Sequence, residues 1–149
     1  VARYRATDIS GGMIEIAHAK PADVPVDFAQ AGLDDDGRGT TYDVVLAFNL
    51  LHLIEDLDGA LAQIAALVKP GGLFISKTIC KPTERLSWKF RLMLVALPVL
   101  QLIGKAPDVQ LRPIEAHEEA VERAGCEILE RANYPASPPS RFLVARKRS

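Results

Sequence analysis

Cysteine is scarce in this chain. Only two of its 149 residues are Cys, Cys80 and Cys126. They make neither a disulfide framework nor a metal-ligand cluster. They fit a reducing compartment, hence a cytoplasmic location. An excess of basic charge is also lacking. A net charge of −1 provides no concentrated basic face, which argues against an electrostatic nucleic-acid binder. The uncharged apolar run Leu92 to Gly104 falls short of the roughly 18 residues that a membrane span needs, and Pro98 would kink it. Internal repeats and low-complexity segments are missing. Val1 to Arg5 reads as the start of structure rather than as a secretory leader. The acidic run Asp34-Asp35-Asp36-Gly37-Arg38-Gly39 lacks EF-hand spacing and reads as a solvated turn. No metal site is expected.

What remains is an ordinary globular composition, 48% hydrophobic and 25% charged, of one-domain length. The chain is organised around Tyr42 to Thr78. Val44 to Phe48 is a short apolar run, as suits a strand buried on both faces. Leu57, Leu61, Ile64 and Val68 fall on one helix face, and Asp56 can cap that helix. Lys69-Pro70-Gly71-Gly72 ends it in a turn, with Pro presetting one dihedral and Gly supplying a positive one. Leu73 to Ile75 reads as the next buried strand. Strand, helix and strand make a crossover unit with parallel strands. Ligands of such sheets bind beyond the carboxyl ends of the strands, which makes Asn49 to His52 a candidate site.

The flanks are read in the same way. Arg3 to Thr7 is a strand ending at Asp8. Met13, Ile16 and Ala17 have helical spacing, with Ser10 or Gly11 at the start. Pro21 to Pro25 is a connector and Val26 to Gln30 a strand. Lys81 to Arg91 interleaves four cations with Trp88 and Phe90 and reads as a solvated helix face. Lys105 to Pro113 is a connector. Ile114, His117, Val121 and Ala124 mark a helix that Gly125 caps. Strands follow at Cys126–Glu130 and Arg141–Arg146, joined by a loop rich in Pro and Ser. Arg146-Lys147-Arg148 is a charged tail without assigned function.

Tyr42-Asp43-Val44-Val45, Asn49-Leu50-Leu51-His52 and Leu67-Val68-Lys69-Pro70-Gly71-Gly72, in that order, resemble class I S-adenosylmethionine-dependent methyltransferases. Asp8-Ile9-Ser10 with Met13-Ile14, and Glu122 to Ile128 with the final strand, extend the resemblance over almost the whole chain. It implies a three-layer, Rossmann-like α/β fold, mostly parallel with an antiparallel edge strand. It also implies S-adenosyl-L-methionine as cofactor. Asp8 would accept from the ribose hydroxyls, since an ionised carboxylate is acceptor-only. A helix cap or turn role is the alternative for Asp8. Ile9, Gly32 and Leu33 would border adenine, with Gly32 where the family often has an acidic residue. Asn49 would border the methionine end. His52 is the candidate catalytic base, because its ordinary pKa lies near neutrality; a packed histidine is the alternative. The region 82–112 would be a helical lid over an apolar small-molecule acceptor, or else a core or homodimer-interface helix.

The family begins with a strand and a glycine-rich turn ahead of the Asp8 strand. No glycine precedes Asp8 here. Without that strand, two long edges would stay unpaired, which natural sheets avoid. The expectation is therefore a partial chain of a protein of about 200 or more residues. Closure without the strand, or pairing across a dimer, are alternatives. The expected function is methyl transfer to a small molecule. A catalytically inactive methyltransferase-like binding module is the alternative. A nicotinamide-dependent oxidoreductase lacks support, since no Tyr-x-x-x-Lys pair is present.

Overall fold

A computed structural model describes residues 3–33, 39–81, 109–134 and 140–149. The acidic turn, the cation-aromatic segment, the apolar run and nearly all of the proposed lid lie outside the described residues. The single expected domain divides into two compact units, Val1–Thr40 and Thr41–Ser149.

The first unit is a strand-helix-strand crossover. β1 (Tyr4–Asp8) and β2 (Val26–Gln30) pair in parallel, from Tyr4↔Val26 to Asp8↔Gln30. Helix α1 (Gly11–His18) connects them, and Ser10 caps it by accepting from the Met13 amide at 3.3 Å. Arg5 and Asp27 face each other in register and form an ion pair at 2.6 Å. The apolar residues of α1 are not enclosed: Met13 and Ile16 are exposed, and no described residue from Arg3 to Leu33 is buried. Two strands and one short helix have too little area to close a core.

The second unit holds the core. Its strands are β3 (Tyr42–Phe48), β4 (Val68–Ile79), β5 (Cys126–Asn133) and β6 (Ser140–Lys147), in the order β3-β4-β6-β5. β3 and β4 are parallel, and β6 runs against both of its neighbours. The antiparallel strand thus lies inside the sheet, and β5 holds the edge. Helices α2 (Leu57–Leu67) and α3 (Ile114–Arg123) pack against each other and against the sheet. Leu61, Ile64, Val121, Phe74 and Leu143 are at most 2% exposed and form the centre of that interface. Such fully buried side chains stabilise by about 1.5–3 kcal/mol each.

β3 departs from the sequence expectation. Val44, Leu46 and Phe48 are 45%, 42% and 53% exposed, while Ala47 is buried. The alternation follows from the pleat, which puts Val44, Leu46 and Phe48 on the face opposite Ala47. Among the described residues β3 pairs only with β4, and β1 only with β2.

The turn after α2 is also different in detail. β4 begins at Val68, opposite Tyr42, and the next pair is Val44↔Leu73. Lys69 to Gly72 therefore bulge out of the ladder rather than separating helix from strand. Gly71 has φ +75°, as expected of a turn glycine. A Cβ on Gly72 would lie 2.9 Å from the Asp43 and Lys69 carbonyl oxygens, so a side chain has no room there. Lys69 bridges the bulge to Asp43 at 2.8 Å, and its bond and charge hold the Asp43 carboxyl below its ordinary pKa.

The basic tail has a structural role after all. Lys147 Nζ donates to the carbonyls of Ala65 at 2.7 Å and Val68 at 2.9 Å. These belong to the last turn of α2 and the residue after it, where carbonyls lack helical partners and a cation is favoured. Replacing Lys147 by Met is expected to lower stability by about 1–2 kcal/mol in urea denaturation. An unchanged midpoint would mean that water serves these carbonyls equally well.

Candidate functional site

The first unit gathers four of the expected residues at the carboxyl ends of its two strands. Asp8 ends β1, Ile9 follows it, and Gly32 and Leu33 follow β2. The Ala31 amide donates to the Asp8 carbonyl at 3.1 Å, and Gln30 Nε2 donates to the Ile9 carbonyl at 3.0 Å. A Cβ on Gly32 would touch Ile9 Cγ2 at 3.8 Å, so the two residues adjoin. Asp8 Oδ1 accepts from the Ser10 amide at 2.8 Å. That bond is the turn role weighed for Asp8. It also fixes the carboxylate, which is exposed and keeps further acceptor capacity. Ile9 is 77% exposed. An exposed, oriented carboxylate beside an exposed apolar side chain suits a ligand with vicinal hydroxyls and a flat ring. The residues present thus fit an adenosine moiety.

In the second unit, Asn49 leaves the tip of β3 with φ +54°. Asn tolerates this left-handed conformation better than most residues. Its amide donates to the Lys77 carbonyl at 2.8 Å, which extends the β3-β4 ladder by one bond. Asn49 is exposed. A 3-10 turn, Leu51–Leu53, follows. Asp56 then caps α2, as expected, by accepting from the Gly59 amide at 2.9 Å.

His52 lies in that turn and is buried. Its Nδ1 is 3.2 Å from Thr78 Oγ1, and its carbonyl accepts from the Gln110 amide at 2.7 Å. Burial lowers its pKa, which holds the ring neutral at physiological pH. His52, Thr78, Cys80, Gln110, Arg112 and His117 line a cavity of about 10 Å³. That volume admits one water but no substrate. Burial pushes the Cys80 thiol up to about 11, so it is no nucleophile at neutral pH. His117 is 2% exposed, and its Nε2 has no hydrogen-bond partner among the described residues. Among the described residues no cluster could hold a metal ion, and no helix is long and apolar enough to cross a membrane.

Sequence reasoning missed Thr78 and Arg112. Thr78 looks like one more strand residue, and Arg112 falls in a segment read as a connector. Only the β3-β4 register and the return of the chain at 109–113 bring them to His52.

Residues 1–74 match the family model of a methyltransferase domain. Among curated proteins, the lovastatin diketide synthase lovF of Aspergillus terreus is 37% identical over 83 residues, covering 50% of this chain and 3% of that protein. The ubiquinone biosynthesis O-methyltransferase of Methylocella silvestris is 33% identical over 81 residues, covering 52% of this chain and 32% of that protein. The chain thus spans a minor part of these relatives. Among solved structures, an S-adenosylmethionine-dependent methyltransferase from Mesorhizobium loti superposes with a TM-score of 0.74 at 19% identity, covering 99% of this chain and 81% of that one. The [4+2]-cyclase SpnF superposes at 0.69 and 14% identity, covering 98% and 66%. Both show the fold. Together with the ordered motifs from Asp8 to Gly72, these matches make the chain a member of the class I S-adenosylmethionine-dependent methyltransferase family.

Proposed function

We propose that this chain transfers a methyl group from S-adenosylmethionine to a small-molecule acceptor of apolar character. The observation that carries the reading is the exposed, turn-oriented Asp8 carboxylate beside Ile9 and Gly32 at the strand ends. In the proposed roles Asp8 accepts from the ribose hydroxyls, Ile9 and Leu33 flank the adenine, and Gly32 lets the ring approach. Asn49 borders the methionine end. The cofactor brings a sulfonium methyl that is already activated toward nucleophiles. The protein's task is then alignment and exclusion of water. His52 is buried beside a cavity too small for a substrate, so in its proposed role as proton acceptor the proton would arrive through the one water which that cavity admits.

The small-molecule class is supported by the relatives' names, a diketide synthase and a ubiquinone biosynthesis O-methyltransferase. The [4+2]-cyclase SpnF shares the fold, so fold alone does not set the reaction. Calorimetric titration with S-adenosylhomocysteine and with NADH tests the cofactor directly. Binding of the first alone is expected. Binding of NADH alone would replace this reading by an oxidoreductase one. Binding of neither would leave a methyltransferase-like module that takes no cofactor.

A further inference from the structure

The loop that bears Asn49 is held from outside by one side chain. Arg112 Nη2 donates to the carbonyls of Ile54 at 2.8 Å and Glu55 at 2.6 Å. Its Nη1 donates to the carbonyl of Leu51 at 3.4 Å. The Gln110 amide takes the His52 carbonyl at 2.7 Å. Four carbonyls in the stretch Leu51 to Glu55 thus point at the segment 110–112. That segment is itself fastened, because the Lys81 amide donates to the Arg112 carbonyl at 2.8 Å. The 3-10 turn closes only two bonds of its own, one of ordinary length from Leu53 to Leu50 at 2.9 Å and a long one from Ile54 to Leu51 at 3.5 Å. A turn this short has little internal stability. Asn49 takes its positive φ more readily than most residues would, so it is the stretch after it, Leu51 to Glu55, that needs outside support. The shape of the loop is therefore imposed, and the planar, five-donor guanidinium of Arg112 imposes it.

We infer that Arg112 is a positioning residue, which sets the Asn49–Glu55 loop in its ligand-ready shape. This rests on the reading that Asn49 borders the cofactor. Arg112 acts through backbone carbonyls and touches no reacting atom. A lysine carries the charge but concentrates its donors at one point, so it cannot span carbonyls three and four residues apart in the same geometry.

The test uses the intact chain and S-adenosylhomocysteine. Arg112→Ala is expected to bind about tenfold more weakly, and Arg112→Lys between that and the native chain. Lys147→Met serves as the control. It also removes cationic donors from backbone carbonyls, but at the end of α2. It is expected to lose stability and keep native affinity. Hydrogen exchange should speed up at the Leu53 and Ile54 amides in Arg112→Ala while β4 stays protected. Native affinity in Arg112→Ala overturns the inference alone. So does an equal loss of affinity in Lys147→Met, which would reduce the effect to stability. A native chain without affinity for S-adenosylhomocysteine overturns the functional reading and this inference with it.

Discussion

Replacing Asp8 by Ala is expected to weaken S-adenosylhomocysteine binding by about 100-fold. The carboxylate is proposed to accept from two ribose hydroxyls, and hydrogen bonds to a charged group are worth about 1.5–3 kcal/mol each. A 100-fold loss corresponds to about 2.8 kcal/mol, the lower end of two such bonds. Asp8 also holds the amide of Ser10, the residue that caps α1. Part of the effect in Asp8→Ala is thus local unfolding of the turn. Asp8→Asn separates the two. Asn keeps a carbonyl oxygen for the Ser10 amide and gives up the charge, so it is expected to lose about tenfold. Calorimetry on both variants checks this. Unchanged affinity in both would remove Asp8 from the site.

Acidification is expected to lower stability by about 3 kcal/mol between pH 6.5 and pH 4 through His117 alone. Burial pushes its pKa from 6.5 down to about 4, with Arg112 and Arg141 adding to the shift and Glu118 opposing it. The folded state therefore holds this histidine neutral across that window, while the unfolded chain takes up a proton. Where the unfolded state binds more protons, stability rises with pH, by about 1.4 kcal/mol per unit. The contribution is fully present above pH 6.5 and is lost as pH falls to 4. Carboxylates add their own acid sensitivity at the lower end. The difference between native and His117→Leu isolates the histidine. Leu also removes the unpartnered Nε2 without leaving another polar group buried. Urea denaturation of both across this range should show the steeper fall in the native chain. Parallel curves would mean that His117 is protonated in the folded state.

The site and fold differ in how they are written into the sequence. Local chemistry was legible. Asp56 caps α2, Gly71 and Gly125 take positive φ, and β2 spans Val26–Gln30, because each depends on neighbours within a few residues. The strand-helix-strand order followed from periodicity for the same reason. Contacts across the chain were not legible. Lys147 reaches α2 over 79 and 82 residues, and Arg112 reaches the loop over 57 to 61. No spacing rule connects such positions, and a lone Arg before Pro113 looks like any connector residue. The apolar run of β3 suggested two covered faces. Composition reports that a residue tolerates burial; it does not report whether a neighbour arrives to bury it. His52 shows the same limit. Its place after β3 followed from the motif, but its bond to Thr78 needed the β4 register.

The carboxylate that closes β1 is proposed to hold the ribose of an adenosine-bearing ligand. The most direct measurement is a crystal structure of the intact chain grown with S-adenosylhomocysteine. Ribose hydroxyls within hydrogen-bond distance of the Asp8 carboxylate are expected. Ribose held by other residues, with Asp8 bonded only to Ser10, would contradict it.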